Sequence, residues 1–144
     1  MVRIDVNVWG VILAAISSMV VGSLWYMPQA FGKSWAQLTG VKLEKIGKGT
    51  PKQMAWTYGS VFLASLVTAY ILAAMTFVDQ QFFRDSYLYD AFNVALWLWL
   101  GFTAARIYVH DAFEKRRKKL TVLNAAHELV TVLVMALIIG WLHP

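Results

Sequence analysis

Four apolar blocks, each close to 20 residues long, limit what this chain can fold into more than any other feature of its sequence. They cover residues 6–27, 52–78, 87–110 and 120–142. A helix needs about 20 mostly apolar residues to cross the hydrocarbon core of a bilayer. Only 15% of the residues are charged, whereas soluble domains carry about 25%. We therefore predict one all-α domain of four transmembrane helices, in which the first block is a retained helix and not a removed signal peptide.

The basic residues are concentrated in two connecting loops, and this predicts the topology. The loop after the first block and the loop before the fourth contain the lysines and arginines Lys33, Lys42, Lys45, Lys48, Lys52, Lys115, Arg116, Arg117, Lys118 and Lys119. With four spans both loops lie on one side, and the positive-inside rule makes that side cytoplasmic. We predict a multi-pass protein of the cell membrane with both termini outside. Because the net charge of +5 belongs to these loops, it does not indicate nucleic-acid binding.

The first loop contains a short periodic segment, "PQAFGKSWAQLTGV". Its apolar residues Phe31, Trp35 and Leu38 recur at i, i+4 and i+7, with polar residues between them. This spacing predicts an amphipathic helix that lies at the membrane interface and ends at Gly40.

A row of small residues on the first helix predicts close helix packing. Gly10, Ala14, Ser18 and Gly22 follow one another at four-residue spacing, and small residues let helix backbones approach each other in lipid. The row suits packing within the bundle, with a dimer interface as the alternative.

Trp97 and Trp99 lie well inside the third block, unlike the tryptophans near the ends of the other blocks. Two residues apart on a helix, they lean towards different faces. We expect one to face lipid and the other to pack, with stacking on a ligand as an alternative.

A polar cluster inside the last two blocks is the main candidate for function. Asn124, His127 and Glu128 share one face of the fourth helix, and Arg106 and His110 share a face of the third. Ionisable groups within spans are costly and often functional. We predict an ion pair between Arg106 and Glu128 in the cytoplasmic half of the membrane. The cluster then either fixes helix packing or lines a path for an ion, a proton or a small solute.

The sequence supports an enzyme or a metal site less well than it supports a packing role or a solute path for the polar cluster. The stretch "HELVT" begins like the zinc motif H-E-x-x-H, but Thr131 occupies the position of the second histidine, so the motif lacks a ligand. A metal site formed by His110 and His127 is an alternative, whereas thiolate chemistry is excluded because the chain has no cysteine. We predict no metal ligands, leave the cofactor open, and rank enzymatic activity third, behind the two functions given below.

Two stretches carry a resemblance to a known family. The first is "GSLWYMPQAFGKSWAQLTG" and the second is "FEKRRKKLTVLNAAHELV". Both resemble domain-of-unknown-function family 1761, a group of small bacterial membrane proteins. The residues that carry the resemblance are Gly22, Trp25, Tyr26, Pro28, Phe31, Gly32, Lys33, Trp35, Phe113, Glu114, Asn124 and His127. The resemblance implies a four-helix membrane protein and no established activity.

Two functions are compatible with these features. The first is a transporter or channel-like protein, working as a homo-oligomer, that uses Arg106, His127 and Glu128 as its polar path. The second is an accessory or structural subunit of a larger membrane complex, in which the cluster serves packing only. Both functions have the lipid bilayer as a partner, and a small bundle has little room for an internal pore.

Overall fold

The computed structural model describes residues 4–45 and 47–144, and this part of the chain is helical. In chain order the helices are α1 (Val8–Trp25), α2 (Gly32–Thr39), a 3₁₀ turn (Leu43–Lys45), α3 (Pro51–Phe83), α4 (Tyr87–Leu98), a π-helical segment (Trp99–Ala104), α5 (Ala105–Phe113) and α6 (Lys118–Trp141). Among the described residues, four continuous helical stretches are long and apolar enough to cross a membrane: Val8–Trp25, Pro51–Phe83, Tyr87–Phe113 and Lys118–Trp141. The predicted fold class is confirmed, including the short helix after the first span.

Polar side chains define where the long helices begin. The Asn7 side chain accepts hydrogen bonds from the backbone N–H groups of residues 9 and 10 at the start of α1. Thr50 and Gln53 form a reciprocal capping box at the start of α3, with Pro51 in its first turn. These bonds satisfy N–H groups that have no partner within the helix. Gly40 ends α2, as predicted, in the left-handed conformation at φ 75°, which glycine adopts without strain.

The four long helices form a bundle in which α6 packs against α1 and α4, and α3 packs against α1 and α4 from the other side. The fully buried apolar residues are mostly small: Ala14, Ala15, Ala69, Leu72, Ala91, Ala95, Met135 and Ala136. The polar residues Thr76 and Asp90 are also fully buried. Such residues let the helix axes come close together. The closest approach is at Gly140 of α6, where an added Cβ would lie 2.8 Å from the Leu88 Cα.

The small-residue row of α1 is used within the bundle. Gly10, Ala14 and Ser18 are buried, and an added Cβ on Gly10 would lie 3.2 Å from the Leu142 carbonyl oxygen. The Ser18 hydroxyl is hydrogen-bonded to the Ser65 hydroxyl of α3 at 2.8 Å. Three members of the row therefore pack within the bundle, and Gly22 lies next to His127.

The third span contains a π-helical segment, Trp99–Ala104, that the sequence pattern did not predict. Trp97 is 67% exposed, whereas the Trp99 indole N–H donates a hydrogen bond of 2.9 Å to the Ala125 carbonyl of α6. One tryptophan faces outwards and the other packs, as expected. Single π turns inside α-helices are often found at functional sites.

Candidate functional site

The candidate site lies in the first half of α6, at the end of the bundle that carries the two basic loops. We call this end the basic end. His127 projects from α6 towards the last turn of α1, where its ring centroid is 5.8 Å from that of Trp25 and 5.0 Å from that of Tyr26. The His127 side chain is 14% exposed and the neighbouring Glu128 side chain is 42% exposed. The site therefore joins a largely buried imidazole to a more accessible carboxylate.

The contact between His127 and Glu128 determines which imidazole nitrogen is free. Nδ1 of His127 lies 3.3 Å from Oε1 of Glu128. An ionised carboxylate only accepts hydrogen bonds, so Nδ1 is the donor and a neutral ring has its lone pair on Nε2. That Nε2 atom is buried and has no hydrogen-bond partner among the described residues. Its neighbour on α1 is Gly22, whose added Cβ would lie 3.6 Å from it.

His127 and Glu128 line a cavity of about 660 Å³ between α1, α3 and α6, which we call the α1/α3 cavity. Its other lining residues are Ser18, Met19, Gly22, Ser23, Tyr26, Met27, Pro28, Leu43, Thr57, Tyr58, Val61, Ser65 and Thr131. Thr131 lies roughly 20 Å along α6 from Lys118, at 1.5 Å per residue. The cavity thus reaches well into the apolar part of the bundle.

A second cavity, of about 580 Å³, lies between α2, α5 and α6, and we call it the α2/α5 cavity. It collects the remaining members of the predicted cluster, because Arg106, His110, Asn124 and Glu128 all line it. Its walls also include Tyr26, Trp35, Thr39, Phe102, Thr103, Ile107, Asp111, Glu114 and Arg116. Glu128 and Tyr26 are the residues that line both cavities. The two side chains therefore stand between them.

The predicted ion pair between Arg106 and Glu128 is not formed, and this corrects the sequence-based expectation. Within residues 4–45 and 47–144, the side-chain contact of Glu128 is the hydrogen bond with His127, and Arg106 makes no ion pair. Arg106 is exposed and lines the α2/α5 cavity from α5, opposite Glu128 on α6. The two groups face the same space without direct contact because the cavity lies between them.

Aromatic side chains from the end of α1 and the segment after it pack together beside His127. The Trp25 and Phe31 ring centroids are 4.4 Å apart, and those of Tyr26 and Trp35 are 5.4 Å apart. Pro28 lines the α1/α3 cavity, whereas Lys33 is exposed and lies away from both cavities. The predicted interfacial motif and the predicted polar cluster thus meet at one place, through Trp25 and Tyr26.

Several contributors to the site carried no clear signal in the sequence. Asp111 is buried and accepts a hydrogen bond of 2.7 Å from the Thr121 hydroxyl, and Arg116 lies 3.7 Å from the same carboxyl group. These contacts hold α5 and α6 together at the basic turn. Tyr58 enters the α1/α3 cavity from the first turns of α3. The sequence indicated this contact only in that Asp111 and Thr121 lie on either side of a short turn.

The two histidines considered for a metal site are not brought together. His110 lines the α2/α5 cavity and His127 lines the α1/α3 cavity. In the part of the chain that the structure describes, no group of three or more His, Cys, Asp or Glu residues is placed to hold a metal ion.

Four apolar helices around these two cavities define a small multi-pass membrane protein. The chain belongs to the family described as "Protein of unknown function (DUF1761)", whose family model matches residues 9–140. Comparison with curated proteins and comparison with solved structures each returned no match. The family resemblance seen in the sequence is confirmed, and the family description assigns no activity.

Proposed function

We propose that this protein is a small-solute transporter whose solute passes Glu128 in the basic half of the membrane. One observation carries the proposal: Glu128 lines both the α1/α3 cavity and the α2/α5 cavity. A group that relays a solute must be reachable from the spaces on both sides of it, and a single carboxylate between two cavities meets that requirement within the basic half of the membrane. Carboxylates and histidines within spans commonly form such paths.

The order of polar groups supports a stepwise path. Arg106 and His110 line the α2/α5 cavity, together with Glu128. Glu128 contacts His127 at 3.3 Å, and His127 lines the α1/α3 cavity. A proton or a small cation that arrives from the α2/α5 cavity therefore reaches Glu128 first and the α1/α3 cavity, beside His127, second.

Passage through the opposite half of the membrane requires a conformational change or a second copy of the chain. There Leu72 and Met135 are each 1% exposed, and neither lines the α1/α3 or the α2/α5 cavity. We propose a homo-oligomer for this reason, because a single small bundle has no room for an open pore. The exposed row Ser60, Ala64 and Thr68 on α3 offers a smooth helix face for such contacts.

The test is flux into liposomes that contain the purified protein. Internal pH is followed with an entrapped dye under an imposed potential, and uptake of radiolabelled amines, carboxylates and polyols is measured in parallel. We expect flux with the parent protein and its loss in Glu128→Gln. Glu44→Gln is the matched control, because Glu44 lies in the exposed 3₁₀ turn and lines neither cavity. If nothing moves and Glu128→Gln changes only thermal stability, the transport proposal is wrong.

The second candidate is an accessory subunit of a larger membrane complex. The close packing of the opposite half of the bundle favours it, since a subunit needs no path. Purification from native membranes in a mild detergent distinguishes the two. Recovery in a constant ratio with the same large complex would support the subunit function, and a homo-oligomer would support transport.

We also propose that the basic end faces the cytoplasm, with both chain ends outside. The lysines and arginines of the 33–52 and 115–119 segments support this orientation. A C-terminal reporter that is active only in the cytoplasm should stay silent, whereas one that is active only outside should respond. The reverse result would invert the topology.

A further inference from the structure

We propose that a phospholipid with a zwitterionic headgroup binds along the third span, with its phosphate on Arg106 and one acyl chain in a cleft beside the π-helical segment. This goes beyond the proposed function, because it concerns a lipid partner of the protein. Lipid binding is measured without flux, so the two proposals can fail separately.

Arg106 is an exposed arginine inside a membrane span. Within residues 4–45 and 47–144 it makes no ion pair. It lies seven residues before Phe113, the last residue of α5, which is roughly 10 Å along the helix. Long arginine side chains near the ends of spans extend towards the interface, where lipid phosphates lie. A guanidinium binds phosphate through two parallel N–H donors, so a lipid phosphate would supply its counter-ion.

The charges around Arg106 favour a headgroup that carries both signs. The charged side chains that line the α2/α5 cavity are Arg106, Asp111, Glu114, Arg116 and Glu128. Arg116 is paired with Asp111 and Glu114, which leaves Arg106 and Glu128 as opposite charges on facing helices. The hydrogen bond from His127 engages Oε1 of Glu128, so Oε2 is available to an ammonium group. A purely anionic headgroup would instead bring a second negative charge beside this carboxylate.

A third cavity, of about 420 Å³, offers a place for an acyl chain, and we call it the α3/α4 cleft. It lies between α3, α4, the π-helical segment and α6, and its lining residues are apolar except for Thr68 and Thr103. Two of them, Ile71 and Phe102, are 46% and 76% exposed. The cleft therefore opens on the outer surface of the bundle, which faces lipid tails in a membrane.

The α3/α4 cleft continues the α2/α5 cavity along the third span. Phe102 and Thr103 line both spaces, and they lie about one helical turn before Arg106. Ala95 is the lining residue of the cleft that lies farthest from Arg106 on this span, roughly 16 Å away at 1.5 Å per residue. This distance is about half of the roughly 30 Å hydrocarbon core, and one acyl chain spans one leaflet. The order of the two spaces, polar near the basic end and apolar further in, matches a headgroup followed by its tail.

Two variants remove the two halves of the site, and each has a matched control. Arg106→Gln removes the charge that binds the phosphate, and Arg117→Gln removes an exposed arginine at the same end of the bundle that lines none of the three cavities. Thr103→Phe fills the junction between the cavity and the cleft. Ala105→Phe adds the same ring at an exposed position two residues away that lines none of the three.

The experiment is native mass spectrometry of the delipidated full chain in detergent, titrated with palmitoyl-oleoyl-phosphatidylethanolamine. Three related probes isolate each requirement. Phosphatidylglycerol with the same chains keeps the phosphate and lacks the ammonium, the corresponding diacylglycerol lacks both charges, and glycerophosphoethanolamine has the headgroup without the chains. Thermal unfolding of every variant shows whether it is folded.

We expect one phosphatidylethanolamine per chain to bind with the highest affinity, ahead of all three related probes. Arg106→Gln should weaken this binding roughly tenfold or more, since a hydrogen bond to a charged group contributes about 1.5–3 kcal/mol and each 1.4 kcal/mol is about a factor of ten. Thr103→Phe should weaken it several-fold, whereas Arg117→Gln and Ala105→Phe should leave it unchanged. If Thr103→Phe does not fold, the two arginine variants and the probes still decide the question.

Equal weakening in Arg106→Gln and Arg117→Gln would show unspecific attraction and overturn the proposal. Phosphatidylglycerol or glycerophosphoethanolamine binding as tightly as phosphatidylethanolamine would also overturn it. The headgroup shares the α2/α5 cavity with the proposed solute path, and the two assays separate the proposals. Selective lipid binding without flux would support the lipid site and contradict transport, and flux without selective lipid binding would do the reverse.

Discussion

Gly22→Ala should make the protein more stable. Glycine inside a helix is about 0.8–1 kcal/mol less favourable than alanine, and Gly22 lies within α1, three residues before its last residue. The added methyl meets one atom, His127 Nε2, at 3.6 Å, so no clash opposes the gain. We therefore expect the free energy of unfolding to rise by about 0.5–1 kcal/mol.

The assay is thermal unfolding in nanodiscs, followed by tryptophan fluorescence. Gly59→Ala should show the helix-propensity gain alone, since its methyl meets no atom within 4 Å. A lower midpoint for Gly22→Ala than for the parent would refute the geometry around His127.

Three further predictions concern the packing that holds the site. Gly140→Ala should lower the free energy of unfolding by about 1–3 kcal/mol, because its methyl would lie 2.8 Å from the Leu88 backbone. Thermal unfolding at the parent's midpoint would contradict the close contact between the two helices. Trp99→Phe removes one indole hydrogen bond to α6 and should cost about 0.5–1.5 kcal/mol, whereas loss of the exposed ring in Trp97→Phe should change the unfolding midpoint little. Thr121→Val removes the hydroxyl that donates to the buried Asp111, so hydrogen exchange of the backbone amides should increase in residues 112–117. Unchanged exchange would contradict the stabilising role of this hydrogen bond.

The presence and order of the four long helices could be predicted from the sequence because they depend on local properties, whereas α3 runs to Phe83 and the predicted block ended at residue 78. An apolar run near the thickness of a bilayer, a cap such as Thr50 and a terminator such as Gly40 act on their own segments. The four-residue spacing of small residues on α1 also indicated a packed face, which Gly10, Ala14 and Ser18 provide.

The Arg106–Glu128 ion pair shows where such reasoning ends. Both residues line the α2/α5 cavity, from neighbouring helices. Direct contact also depends on helix rotation and on the gap between the helices, and here the α2/α5 cavity occupies that gap. The π turn in the third span likewise depends on contacts between helices, because the Trp99 indole donates to a carbonyl of another helix.

The sequence by itself determined that this chain is a four-span helical membrane protein with its polar groups near the basic loops, since hydropathy and helical periodicity are properties of each segment alone. The tertiary structure decided that His127, not Arg106, is the hydrogen-bond partner of Glu128, and that its Nε2 lies next to Gly22. Those contacts join α1 and α6, which are far apart in the chain. Only the packing of the helices brings the two together.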